Sequence, residues 1–102
     1  MKTVVAVTVL CSEMMDEFAG VVRAAPPSSP LGRARLSLGT QFEETAARAL
    51  LEQVQSVLLN PAVVLFARLS PKFWQALVAD VLVNTARAVI TRAQEARINT
   101  VN

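Results

Sequence analysis

Prolines fall in only three places along this 102-residue chain: Pro26, Pro27 and Pro30 together, then Pro61, then Pro71. A proline has no backbone N–H, and its ring clashes with the carbonyl four residues back, so it breaks a helix interior. It is tolerated at the first helical position. Pro61 and Pro71 each follow a residue suited to cap a helix N-terminus, Asn60 and Ser70. The prolines therefore divide the chain into segments that start afresh. What each segment becomes depends on the spacing of its apolar residues.

In residues 3–24, Val4, Val7, Cys11, Met14, Phe18 and Val21 recur at alternating intervals of three and four. That spacing is the apolar stripe of a helix. Ser12, Glu13, Asp16 and Glu17 lie mostly off it. The competing reading is a strand over Thr3–Leu10, which is rich in β-branched residues. A lone strand finds no partner elsewhere in the sequence, so a helix is expected. The Pro/Ser-rich stretch 25–38, with Gly32, Arg33 and Arg35, reads as a loop. A second helix is expected from about Gln41 to Leu59, opened by Thr40 and Glu43 as a capping box. Phe42, Ala46, Ala49, Leu50, Val54, Val57 and Leu58 form its apolar face, and Glu44 with Arg48 a favourable pair one turn apart. Ala62–Ala67 is a short apolar helix or turn. A last helix runs from Pro71 to about Arg97, its core face being Trp74, Leu77, Val78, Val81, Leu82, Ala88 and Val89 with Thr85 as a polar interruption. Ile98–Asn102 is expected to fray or extend. The expected fold is all-α: a small antiparallel bundle of three long helices plus one short apolar helix or turn, in one domain over 1–102.

Composition limits what such a chain can do. Apolar residues make up 53% of it, against a usual ~45–50% even with glycine counted. A domain this small buries only about two-thirds of its unfolded surface. Apolar side chains should therefore remain outside as a patch, and such patches mark interfaces. The net charge is +2, distributed as −1 over residues 1–25, zero over 26–58 and +3 over 59–102. This is not the dense basic face that several phosphates require. Arg87, Arg92 and Arg97 lie five apart, a rotation of about 140° at each step, so they form no single stripe.

Several function classes are disfavoured by inventory. The chain has no His and no Tyr, so its single cysteine, Cys11, has no imidazole to activate it, and no Cys/His metal cluster can form. Cys11 cannot close an intramolecular disulfide. Three scattered glycines make no phosphate loop. Glu13, Asp16 and Glu17 read as a solvated acidic face, and Asp80 as an exposed acid or an ion-pair partner of Arg87. No uncharged apolar run reaches the ~20 residues of a membrane span. Lys2 and the apolar run after it imitate a signal peptide, but Glu13, Asp16 and Glu17 stand where a small-residue cleavage site would approach. An intracellular protein is expected, with secretion as the alternative.

Three short stretches invite comparison. Met14–Phe18 resembles the centre of the amphipathic helices of apoptosis regulators. Leu69 to Val101 resembles the central helix and following loop of a histone fold. Asn60–Val78 resembles helix junctions of spider-silk domains. Cys11 stands where the first family has leucine, the third histone helix has no counterpart, and silk domains are Ser-rich and Arg-poor. None of the three supplies a defining motif. The expectation is a non-enzymatic association module, structural or adaptor, with Val7, Cys11, Met14, Phe18, Phe66 and Trp74 as interface candidates. No cofactor, metal or small-molecule substrate is expected. The partner is a second copy or another helical protein. A nucleic-acid role for the basic last third is the alternative, as is a secreted structural module.

Overall fold

A computed structural model describes the backbone of residues 2–101 and the side chains of 12–57 and 59–97. The chain is all-α, and no strand occurs among the described residues. Helix α1 spans Lys2–Ala24, α2 Pro30–Leu38, α3 Phe42–Leu58, α4 Pro61–Leu69 and α5 Pro71–Val101, with a 3₁₀ turn Gly39–Gln41 between α2 and α3. Residues 3–10 are helical, so the strand alternative is overturned. The two Pro-led junctions are as expected. The Asn60 Oδ1 accepts the N–H of Ala62 at 3.1 Å, and the Ser70 hydroxyl accepts the N–H of Phe73 at 3.2 Å.

The stretch 25–38 departs from expectation, because its second half is helix α2 rather than loop. The Ser29 hydroxyl accepts the N–H of Gly32 at 3.1 Å and donates to the Pro26 carbonyl at 2.6 Å. Pro30 sits in the first turn of α2, so Ser29–Pro30 is the same cap that Asn60–Pro61 and Ser70–Pro71 form. Gly32 is buried. A Cβ there would collide with the Pro26 carbonyl oxygen and lie 2.9 Å from the Pro27 Cα. Here glycine allows two backbone segments to touch as the chain doubles back from α1. Gly39, with φ of 56°, ends α2 and donates its N–H to the Arg35 carbonyl, a conformation that strains any residue with a Cβ.

Two further expectations are corrected. Thr40 and Glu43 form no capping box: the 3₁₀ turn runs directly into α3, whose N-cap position is Gln41 with no side-chain bond. The last helix continues to Val101 instead of fraying after Arg97.

The core forms two adjoining clusters. One gathers Phe18 of α1, Leu31 and Ala34 of α2, Phe42, Ala46 and Ala49 of α3, and Val89 and Ala93 of α5. The other joins Met14, Leu50, Val54 and Val81, with Val57, Trp74 and Val78 packed against it. On α1 the inward row continues from buried Phe18 to half-buried Val22, and half-buried Ala25 follows just past the helix end. Val21, expected in the stripe, is 39% exposed, since a helical period of 3.6 favours a step of four here. On α5 the buried row is Val81, Thr85, Val89 and Ala93, flanked by half-buried Trp74, Leu77, Val78, Leu82 and Ala88. Thr85 is fully buried, and its hydroxyl donates to the Val81 carbonyl at 2.7 Å. The polar interruption is thus satisfied within its own helix and leaves no unpaired group in the core. Arg92 ties α5 to α3 through Glu52 at 2.6 Å. Glu44–Arg48 pairs at 2.7 Å on the exposed face of α3. Exposed pairs of this kind are worth about 0–1 kcal/mol.

Candidate functional site: an uncovered apolar helix and a groove

Helix α4 reads PAVVLFARL, with Arg68 its single charge. It packs against α5 and α3, and Val63, Val64 and Ala67 are half-buried. On the other side Ala62, Leu65, Phe66 and Leu69 are exposed. Their intervals of three, four and seven place them on one face of the helix. Phe66 is 62% exposed and Leu69 74%. The stripe extends beyond the helix at both ends. Leu59 precedes it, and Phe73 in the first turn of α5 sets its ring 5.7 Å from that of Phe66 at an interplanar angle of 53°. Edge-tilted rings at that distance hold each other in place. Exposed Arg68 and Lys72 flank the stripe. A helix that is apolar all round is normally covered all round, yet no residue of α4 is fully buried.

A second feature lies at the far end of α3. Between α1 and the start of α3 a groove of about 390 Å³ is floored by buried Phe18, Phe42 and Ala46. Met15, Ala19 and Val22 form one wall, and Arg23, Arg35 and Glu43 stand around the rim. It is apolar within and charged at its edge.

The residues proposed from sequence fall in different places. Met14 and Phe18 are each 2% exposed and occupy the two core clusters. Trp74 is half-buried against the second cluster and also lines a cleft with Glu17, Val78 and Leu82. Of the four candidates whose side chains are described, Phe66 alone stands well exposed. Val7 and Cys11 lie outside the described side chains. Leu65, Leu69 and Phe73 were missed. Their signal was present as the 62, 65, 66, 69 spacing, hidden because every neighbour is apolar too. Asp80 is exposed and accepts from the Asn84 amide at 3.3 Å rather than pairing with Arg87. Glu13, Asp16 and Glu17 are exposed along α1. Among the described residues no three acidic or thiol side chains converge on a point.

Over Pro71–Arg97, α5 has the length and composition of a membrane-crossing helix, with few residues of its most apolar window buried. Lys72, Asp80, Arg87, Arg92, Glu95 and Arg97 lie within that stretch, and its row Val81, Thr85, Val89 and Ala93 is buried against the other helices. Comparison with known families, with characterised proteins and with solved structures finds no match.

Proposed function

We propose that this chain is a non-enzymatic association module that works through uncovered helix surface, and that its first partner is itself. The observation that carries this reading is α4: it is the more apolar of the two nine-residue helices, yet unlike α2 it has no fully buried residue. The scaffold we propose is an antiparallel bundle of α1, α3 and α5. Early α3 shares a cluster with late α5, and late α3 with early α5, which supports opposite directions. On that scaffold α4 is held outward by two capped, proline-led junctions.

Area supports the same reading. A compact folded chain of 11.0 kDa exposes about 5,600 Å². This chain exposes 7219 Å², a surplus of roughly 1,600 Å² over that expectation. A standard interface covers about 800 Å² on each partner. A surplus of that size leaves room for association, and Leu59, Leu65, Phe66 and Leu69 are exposed on and next to α4.

The test is sedimentation of the chain across a dilution series up to about 100 µM, a range that spans ordinary interface affinities. The expected outcome is a mass that rises with concentration and a Phe66→Glu variant that stays monomeric. A monomer throughout would end the self-association reading. If that monomer bound anionic vesicles through Phe66, the face would belong to a lipid surface instead.

A further inference from the structure

We infer that the cleft between α2 and the last turns of α5 binds a phosphate monoester, held between the guanidiniums of Arg33 and Arg97. This goes beyond the self-association reading and does not rest on it. The cleft starts at Ile90 on α5, about 30 Å along that helix from its junction with α4.

Spacing builds the cleft. Arg33 and Ser37 lie one turn apart on α2, and Ile90, Gln94 and Arg97 share one face of α5. Ala34 and Ala93, both buried in the same core cluster, form the floor between the two helices. Alanines there let α2 and α5 approach, and the longer side chains beside them stand around a space of about 220 Å³.

Charge selects the occupant. No acid lines this cleft, and its two charged residues are both arginines. Among the described residues neither arginine belongs to an ion pair, since Glu44 and Glu52 take Arg48 and Arg92. Like charges that share a concavity repel, and an anion between them reverses that cost. The α1–α3 groove differs in this respect, because Glu43 stands beside its two arginines. One guanidinium already satisfies a carboxylate through two parallel hydrogen bonds. A phosphate monoester carries about −1.5 to −2 charges at neutral pH and three acceptor oxygens, which suits two guanidiniums. The Ser37 hydroxyl and the Gln94 amide offer neutral donors at the same rim. Two arginines with no third cation beside them fit one phosphate, whereas a nucleic-acid backbone is held by a row of cations. The alanine floor and the Ile90 wall accept a small apolar body on the ester. The volume lies below the range of about 300–1,000 Å³ usual for larger ligands, so that body is no bigger than a single ring.

The experiment titrates the whole chain with phenyl phosphate and follows the backbone amides by NMR. Saturable shifts centred on α2 and on residues 90–97 of α5 are expected. Arg33→Gln and Arg97→Gln should each weaken binding about tenfold or more, the weight of a hydrogen bond to a charged group. Arg87→Gln, which removes an exposed arginine outside the cleft, should leave binding unchanged. Helical content and the unfolding midpoint verify each fold. Arg33→Lys and Arg97→Lys replace a variant that fails that check, and should also weaken binding because an ammonium lacks the two-pronged geometry. Benzoate, with one charge and two oxygens, should bind more weakly than phenyl phosphate. Vesicles containing phosphatidic acid separate the two sources of the group. Vesicle binding that Arg33→Gln and Arg97→Gln weaken would assign the phosphate to a lipid headgroup, and binding of the soluble ester alone would assign it to a small soluble molecule. Binding of neither probe would overturn the site. So would benzoate binding as tight as that of phenyl phosphate, binding that survives both glutamine substitutions, or a loss in Arg87→Gln as large as in Arg33→Gln.

Discussion

Helices α2 and α4 begin alike and end up in opposite circumstances. Each has nine residues, and each opens with a proline behind a capping side chain, Ser29 or Asn60. Helix α2, with two arginines, buries Leu31, Gly32 and Ala34. Helix α4, more apolar, buries nothing fully. Apolar content therefore does not decide which helix enters the core. Fit does: Gly32 and Ala34 are small enough to bring the α2 backbone close against Pro26 and α5, whereas α4 turns Val63, Val64 and Ala67 toward its neighbours without fully burying any of them and leaves its leucines and phenylalanine outside. A small chain fills its interior with what packs closely and leaves the remainder for another surface.

The sharpest way to break this contrast is a pair of phenylalanine truncations. Phe18, in the cluster that α2 completes, should cost about 3–5 kcal/mol when replaced by Ala. Phe66→Ala should change the stability of the isolated chain by no more than about 0.5 kcal/mol, as should Asp16→Ala on the exposed side of α1. Chemical denaturation of dilute samples measures all three. Comparable losses at Phe18 and Phe66 would mean that α4 belongs to the core after all.

Gly32 is the next test. Its Cβ has no room beside the Pro26 carbonyl oxygen, so Gly32→Ala should destabilise by about 1–3 kcal/mol through overpacking. That is opposite in sign to the usual benefit of alanine over glycine in a helix. A stabilised Gly32→Ala variant would show that the two segments do not touch. The caps should behave equally in the two helices. Ser29→Ala and Asn60→Ala should each cost about 1 kcal/mol, as should Ser70→Ala at the start of α5, because a cap acts on its own helix whatever that helix buries.

Periodicity carried most of the fold. Val81, Val89 and the face of α3 were legible because apolar and polar residues alternate around those helices. Helix α2 was not, since Pro26, Pro27 and Pro30 with Gly32 look together like breakers when Ser29–Pro30 marks a start. Gly32 has its role only through contact with a segment six residues back, which composition does not express. Among site residues, Phe66 is an interface candidate in the sequence, but whether its ring stays outside or caps the core is decided only by the structure, where it is exposed. Met14 and Phe18 have the pattern of an interface because an apolar stripe looks the same whether it faces its own chain or another. Leu65 and Leu69 do not stand out, because a helix apolar on every side has no contrast from which to read a face.

That ambiguity is what the smallest expected effect addresses. Leu69 is 74% exposed at the end of α4, so Leu69→Gln removes little that the isolated chain buries. Its unfolding midpoint in dilute solution should stay within about 0.5 kcal/mol of the original. At concentrations where the chain self-associates the same substitution should lower apparent stability, because association adds to the folded state in proportion to how tightly copies bind. The original chain should then become harder to unfold as it is concentrated, and the variant should not. Equal dependence on concentration in both would place the interface away from α4, and the surplus apolar surface of this helix would need a different explanation from the one its stripe suggests.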